Sequence, residues 1–407
     1  MRKMRDSGVE WIGEIPEGWE VKPLKYSLKS VCGGATPAKA VHEYWNGDIP
    51  WVSSKEVKQE HLMDTSLHIS QEAVDSCSTQ ICPAGSLVIV VRSGIIKHTI
   101  PVAFLDVPMS INQDIKALGF HETCTARYFM RFVQGLNDQL LVALSHGKAT
   151  VDNLDVEAFI NMPISIPPLA EQERIADYLD ARCAAIDADV ARRRELVGKL
   201  REYRKCVISR AVTRGLDEGV PMRDSGVEWI GEIPEGWEVK PIKANIRISN
   251  GSDPKLPGDI PVWGSGAEPF KTCGEFKEGP AVLLGRKGTL DKPQYIEGKY
   301  WNVDTAFDAK PYTSRISFRY FYFMVLCIDV GPYATNTAKP SMTQTDWGNF
   351  KMPFPPLAEQ ERIAGYLDAR CAAIDDNIAK QEQLISKLGE YRKSIIHAAV
   401  TGRIDLS

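Results

Sequence analysis

Two stretches of this chain place apolar residues at helical spacing with polar residues between them. The first series runs Ile175, Leu179, Ile186, Val190, Leu196, Val197, Leu200, Tyr203 and Val207. The second runs Ile363, Leu367, Ile374, Ile378, Leu384, Ile385, Leu388, Tyr391 and Ile395. Both are near-heptad stripes and predict two long amphipathic helices able to bury their stripes against each other. Each opens on Pro-Pro-Leu-Ala-Glu-Gln-Glu-Arg-Ile-Ala, from Pro167 and from Pro355. A proline suits the first helical position, and Glu171 and Glu173 sit where the positive end of the helix dipole favours acids. Gly198 alone interrupts the first pattern, and Gly215 and Gly402 follow the two helices as stops. At ~1.5 Å per residue each helix is a rod of roughly 65–70 Å.

Elsewhere the pattern changes to short apolar runs broken by Gly, Pro, Asn and Asp, which predicts mixed modules with a curled sheet and several loops. Leu87 to Val91 and Ala281 to Leu284 read as buried strands; helices are expected near Thr125–Leu144 and Arg315–Ile328. The plan is duplicated. Met4 to Lys25 recurs at Met222 to Lys243 with one difference, Leu24 against Ile242. The offset is 222 − 4 = 218 there and 355 − 167 = 188 at the helices, so the second module is 30 residues shorter. The modules differ in most positions but share punctuation. Gly33-Gly34-Ala35-Thr36-Pro37 answers to Asn250-Gly251-Ser252-Asp253-Pro254, and Gly47-Asp48-Ile49-Pro50-Trp51 to Gly258-Asp259-Ile260-Pro261-Val262-Trp263. Ser110-Ile111-Asn112-Gln113-Asp114 lies where the second module has Trp301-Asn302-Val303-Asp304-Thr305. A near-identical scaffold holding two dissimilar modules implies the reading of two different things at a fixed separation. The implied division is 1–166, 167–214, 215–354, 355–401 and a tail at 402–407.

Composition narrows the classes. The chain has 407 residues with ordinary apolar and charged fractions, enough for two or three domains. No secretory signal or membrane segment is evident: Phe318 to Val330 is short and carries Arg319 and Asp329. Nine scattered cysteines read as reduced thiols in a cytoplasmic protein, and no metal-ligand cluster is expected. The net charge of −4 does not by itself point to DNA. There is no Gly-x-x-x-x-Gly-Lys-[Ser/Thr] loop for ATP, no Asn/Asp-Pro-Pro-aromatic stretch for an amino-methyltransferase and no Gly-x-Ser-x-Gly elbow. No catalytic residue is expected.

The repeated Ile12-Gly13-Glu14-Ile15-Pro16-Glu17-Gly18-Trp19, together with Gly34-Ala35-Thr36-Pro37, Gly47-Asp48-Ile49-Pro50-Trp51-Val52-Ser53 and the two Pro-Pro-Leu-Ala-Glu-Gln-Glu-Arg-Ile segments, resembles the specificity (S) subunit of type I restriction-modification enzymes. The resemblance covers essentially the whole chain. It implies an α+β fold in which two mixed α/β target recognition domains are separated by two long antiparallel coiled-coil helices with a pseudo-two-fold internal repeat. It further implies that each domain reads one half of a bipartite double-stranded DNA site, while the helices fix the gap and dock two modification (methyltransferase) subunits. Restriction (translocase–nuclease) subunits would attach to those. S-adenosylmethionine, ATP and magnesium would be used by the partner subunits, and no cofactor by this chain.

DNA contacts divide into phosphate positioning and base-edge readout, for which Arg, Lys, Asn and Gln are the favoured types. In the first module the candidates at strand ends and loops are Ser53, Ser54, Lys55, Arg92, Ser93, Lys97, His98, Asn112, Gln113, His146, Lys148 and Thr150. In the second they are Trp263, Ser265, Arg286, Lys287, Lys292, Asn302, Asp304, Thr305, Thr335, Asn336, Lys339 and Ser341. Arg92 and Arg286 lead, as phosphate contacts rather than base readers. Asn112 and Asn302 equally fit backbone-satisfying turns, and Trp51 and Trp263 fit the core better than base stacking. On the helices, Arg193 and Gln381 occupy stripe positions and are candidates for setting the register of the pair. Leu169, Glu171, Gln172, Arg174, Ile175, Leu357, Glu359, Gln360, Arg362 and Ile363 are candidates for partner docking. Two rival readings remain open at this stage. One is a coiled-coil scaffold whose modules bind proteins, which salt-sensitive duplex binding would exclude. The other is an orphan or recombining specificity subunit, which its neighbouring genes would reveal.

Overall fold

A computed structural model describes residues 2–77, 79–144, 153–335 and 340–406. They fall into two units, Met1–Arg192 with Leu384–Ser407, and Arg193–Gln383.

In the first unit, the cap forms a hairpin of β1 (Met4–Asp6) and β2 (Glu14–Pro16), followed by β3 (Glu20–Pro23). The module contains β4 (Leu28–Gly33), β5 (Ile49–Val52), β6 (His61–Leu62), β7 (His68–Ile69), α1 (Gln71–Ser76), β8 (Ile81–Cys82) and β9 (Leu87–Val90). It continues through β10 (Val102–Leu105), β11 (Met109–Ile111), β12 (Ile115–Phe120), α2 (Ala126–Gly135), α3 (Asn137–Leu144), α4 (Val156–Asn161) and β13 (Pro163–Ile166). The strands make two mixed sheets, β4-β12-β9-β10-β6 and β7-β5-β11-β8, with β13 closing on β3. The continuous apolar run of β9 suits the middle of its sheet, where both faces are covered. Gly34 is required where it stands: a Cβ there would lie 1.7 Å from the carbonyl oxygen of Ile111.

The helix expected over Thr125–Leu144 is broken into α2 and α3 at Leu136. Asn137 explains the break, because its side-chain oxygen accepts the Ile100 N–H at 2.9 Å and ties the chain to the segment leading into β10.

The second unit repeats the plan with β14 (Met222–Asp224), β15 (Glu232–Pro234), β16 (Glu238–Pro241), β17 (Ile246–Asn250), β18 (Ile260–Trp263), β19 (Lys271–Cys273) and β20 (Lys277–Glu278). It ends with β21 (Ala281–Gly285), β22 (Gln294–Ile296), β23 (Lys299–Asn302), β24 (Ala306–Pro311), α6 (Phe318–Val325), α7 (Gln344–Asn349) and β25 (Lys351–Phe354). Its sheets are β17-β24-β21-β22 and β19-β18-β23-β20, with β25 closing on β16. Gly251 repeats the role of Gly34, its Cβ position lying 2.1 Å from the Val303 carbonyl oxygen.

The chain also contains the two predicted long helices, α5 (Leu169–Arg214) and, after β25, α8 (Leu357–Val400). Gly215 at φ +76° and Gly402 at φ +71° end them in the left-handed conformation that favours glycine. The pairing is antiparallel: in the first unit Asp187 of α5 meets Arg392 of α8 at 3.2 Å, and in the second Arg204 of α5 meets Asp375 of α8 at 2.9 Å. These are the same two repeat positions with the helices exchanged. The stripe is buried at Ile175, Leu179 and Val197, and at Ile363, Leu367 and Ile374. Leu196, Tyr203, Leu384 and Tyr391, expected in it, are exposed instead. A straight helix drifts ~20° per heptad against a 3.5-residue repeat, so a long stripe read from spacing overruns the true contact line.

Both repeated caps enter the cores. Ile12, Ile15, Trp19 and Leu24 are buried in the first unit, and Ile230, Ile233, Trp237 and Ile242 in the second. Trp19 donates its indole N–H to Glu171 at 3.1 Å and Trp237 to Glu359 at 3.0 Å, so each cap holds the start of its helix.

Candidate nucleic-acid interface

The strand ends of each module are locked into a common backbone frame. In the first module β5 and β11 are parallel, with Val52 beside Ile111, and the Asn112 N–H continues the ladder to the Val52 carbonyl at 3.0 Å. The chain past β9 joins them, as Val91 and Arg92 both donate to the Asp114 carbonyl, at 2.8 and 3.3 Å. In the second module Trp263 lies beside Asn302, and Val303 donates to the Trp263 carbonyl at 2.9 Å. Arg286 and Lys287 both donate to the Thr305 carbonyl, at 2.9 and 3.3 Å. A single bridge then ties Arg92 to Asn153 in one module and Lys287 to Ser341 in the other. Three separate stretches of sequence, around residues 53, 92 and 113 or around 264, 287 and 304, are thereby brought to one edge of each module.

This register revises the pairing of the leading candidates. Arg92 corresponds to Lys287, and Arg286 to Val91. Trp51 likewise corresponds to Val262, and Trp263 to Val52. A one-residue slip turns a strand side chain to the other face, so the tryptophans pack differently: Trp51 against Tyr44, Trp45 and Ile69, Trp263 against Leu283, Ile296 and Tyr300.

At the first module's edge Lys55, Arg92, Lys97, His98 and Gln113 are exposed, while Ser53, Ser54 and Ser93 are half-buried. Arg92 makes no ion pair among the described residues. Gln113 accepts the Thr36 hydroxyl at 2.6 Å, a neighbour that sequence order had not indicated. In the second module Lys287, Lys292 and Thr335 are exposed, and Ser265, Arg286, Asp304, Thr305 and Ser341 are partly so. Arg286 donates to the Asp304 carbonyl at 3.2 Å, and Lys287 lies 3.5 Å from its carboxylate. Ser265 donates to the Lys287 carbonyl at 2.7 Å, and Ser341 and Thr335 share a hydroxyl bond of 3.1 Å. His146, Lys148, Thr150, Asn336 and Lys339 lie outside the described residues.

Two candidates are corrected. Asn112 is buried, its side-chain oxygen accepting the Asp114 N–H at 3.0 Å. Asn302 is wholly buried, donating to the Ala306 carbonyl at 2.8 Å and accepting from Lys277 at 2.7 Å. Asn112 holds its own turn and Asn302 ties β23 to β24 and β20, so burial takes both side chains off the module surface. Around Asn302 the second module has an interior the sequence did not announce. Lys277, Asp308 and Tyr300 meet there, with the Lys277 ammonium 3.1 Å and the Tyr300 hydroxyl 3.0 Å from the Asp308 carboxylate. The corresponding residues of the first module, by strand register, are Cys82, Ala117 and Met109. Burial, then the Asp308 carboxylate, raises the Tyr300 hydroxyl pKa; burial pushes the Cys82 thiol up to about 11.

The docking candidates at the helix starts are also corrected in part. Gln172 and Gln360 are fully buried and make the same three bonds. Gln172 donates to Thr123 and Pro167 carbonyls at 2.9 Å each and accepts the Thr125 N–H at 2.8 Å. Gln360 donates to Arg315 and Pro355 carbonyls at 3.0 and 2.8 Å and accepts the Ser317 N–H at 2.9 Å. Glu171, Ile175 and Ile363 are buried as well, and Glu359 is half-buried against Trp237. These residues fasten each helix to its own module and are not free to meet a partner. Leu169, Leu357, Arg174 and Arg362 are exposed; Arg174 donates to the Leu406 carbonyl at 2.6 Å and Arg362 pairs with Asp217 at 2.7 Å.

Among the described residues there is no group of three or more side chains able to hold a metal ion, and no helix long and apolar enough to cross a membrane.

Known proteins share this arrangement. The family described as the type I restriction modification DNA specificity domain matches residues 16–195 and 234–387. The specificity subunit of the type I restriction enzyme EcoR124I/EcoR124II of Escherichia coli is 33% identical over 179 residues, 43% of this chain and 41% of that relative. The chain therefore matches less than half the length of that relative. The MjaVIII specificity subunit of Methanocaldococcus jannaschii is 25% identical over 428 residues, 96% of this chain and 94% of the relative. A chain from a solved structure described as the structural basis of complex assembly and conformational transition of the type I R-M system superposes with a TM-score of 0.74. That superposition covers 96% of this chain and 99% of the other at 15% identity, and shows a shared fold. With both modules and both helices matched, this chain belongs to the type I restriction-modification DNA specificity family.

Proposed function

We propose that this chain is the DNA sequence-recognition subunit of a type I restriction-modification complex and performs no chemistry itself. Residues 1–166 and 215–354 act as target recognition domains, each reading one half of a bipartite site in double-stranded DNA. Residues 167–214 and 355–401 set the gap between the halves and dock two methyltransferase subunits, to which the restriction subunits attach. S-adenosylmethionine, ATP and magnesium belong to those partners. The observation that carries this reading is one backbone frame presented twice with different side chains, Arg92 and Gln113 in the first and Lys287 and Asp304 in the second. A common frame positions; differing side chains specify. The exposed Leu169 and Leu357 with the outer edges of Arg174 and Arg362 are the remaining docking surface at the helix starts.

The test is to co-express the chain with its neighbouring methyltransferase gene and map methylated adenines across the host genome. A split motif with a fixed gap, absent without this chain, is expected, and exchanging residues 26–166 changes one half only. No new methylation in the presence of a folded methyltransferase overturns the reading.

A further inference from the structure

Within the shared frame, the loop after β11 and the loop after β23 are each three residues long at the tip. The outer two tip positions differ from the middle one. Asn112 and Val303 turn inward and are buried, while Asp114 and Thr305 give their carbonyls to the strand end beside them. Gln113 and Asp304, at the same register position, point outward; Gln113 is exposed and the Asp304 side chain is 50% exposed. This is the position of the frame where an uncharged amide in one module is replaced by a carboxylate in the other.

The chemistry of the two side chains narrows what each can recognise. Gln113 carries an acceptor, already oriented by the Thr36 hydroxyl at 2.6 Å, and an amide nitrogen with no partner among the described residues. A donor and an acceptor side by side match the N7 and N6 edge of adenine in the major groove. Asp304 can only accept. A carboxylate is repelled by phosphate, and at a DNA surface it gains only by meeting an exocyclic amino group. Arg286 and Lys287 flank it, their nitrogens 3.9 and 3.5 Å from its carboxylate, so the pair screens it from the phosphates they approach. We propose that Gln113 and Asp304 are the base-reading residues of their modules, Gln113 selecting adenine and Asp304 a base with an exocyclic amino group. The proposal rests on the DNA-recognition reading above.

The experiment uses the chain in complex with its co-expressed methyltransferase. Wild type, Gln113→Met and Asp304→Ala, which remove the acceptor oxygens, are compared for binding to duplexes carrying the wild-type methylation motif. Each adenine is replaced in turn by purine, each cytosine by 2-pyrimidinone and each guanine by hypoxanthine, removing one amino group at a time. For the wild type, one position in each half loses roughly tenfold in affinity, the size of a single good base contact. In Asp304→Ala, which has no acceptor left, the loss disappears at its position in one half and persists in the other; in Gln113→Met the pattern is reversed. Losses unchanged in both variants, or no sensitive position in the wild type, overturn the assignment. Absence of any split motif for the wild type defeats the recognition reading itself, and is seen before any variant is made. Should a variant fail to bind, the wild-type substitution series alone decides, since a half-site with no amino-dependent position rules out its reader.

Discussion

Arg193 donates through Nη1 to the side-chain oxygen of Gln381 at 2.8 Å, and the two residues occupy the same position of the repeat, 188 apart. Equivalent residues of an antiparallel repeat touch only where the helix pair crosses its own two-fold axis. Beside them Val197, Leu200, Ile374 and Ile378 form a small apolar cluster. A polar pair set in such a seam specifies register at some cost in stability.

Replacing both with leucine, Arg193→Leu with Gln381→Leu, is therefore expected to raise stability by about 1 kcal/mol while weakening register. Thermal unfolding reads the first effect. Disulfide trapping between cysteines placed in and out of register on α5 and α8 reads the second.

Gln172→Ala and Gln360→Ala each strip partners from two carbonyls and one N–H in a buried site. Each is expected to cost roughly 2–3 kcal/mol in denaturant unfolding. Glu173→Ala, two residues from Ile175 but exposed, is expected to be near neutral.

Glu60 is a pH-sensitive point of the first unit. Burial alone would push its carboxyl up, but hydrogen bonds from Arg131 at 2.7 Å, and from Gln134 and Arg392, outweigh burial and hold it below the usual glutamate range. A depressed folded pKa contributes stability above the unfolded value, near 4.3, and that stability is lost as pH falls through the folded value. Glu60→Gln should flatten the acid limb of a stability–pH curve below about pH 4.3 and lower the plateau above it.

Arg92 is exposed and without an ion pair among the described residues, so it is free to meet a phosphate. Arg92→Ala should weaken duplex binding uniformly across sequences and reduce the slope of log K against log salt by about 0.9. A change in the methylated motif instead would make Arg92 a base reader.

The thiols divide by exposure. Burial pushes Cys124 and Cys327 up to about 12, and Cys82 to about 11, whereas Cys206 is exposed. Iodoacetamide on the native protein, followed by peptide mass mapping, should modify Cys206 well before Cys82, Cys124 or Cys327.

The duplication, the two long helices, their glycine stops and the candidate Arg193–Gln381 pairing were legible in the sequence, because periodicity and repetition are properties of neighbouring residues. The three loop stretches of each module were also found, from their Gly, Pro and Asn punctuation. Facing was not. Arg92 and Arg286 look equivalent as strand-end arginines, yet strand pairing places Arg92 with Lys287. The Glu-Gln of each helix start looks like a repeated surface and is a repeated internal fastening. Whether a strand residue faces core or solvent turns on a single residue of register. Register is set by hydrogen bonds between segments far apart in the chain, so the sequence determined which elements exist and the tertiary structure decided which side chains they show.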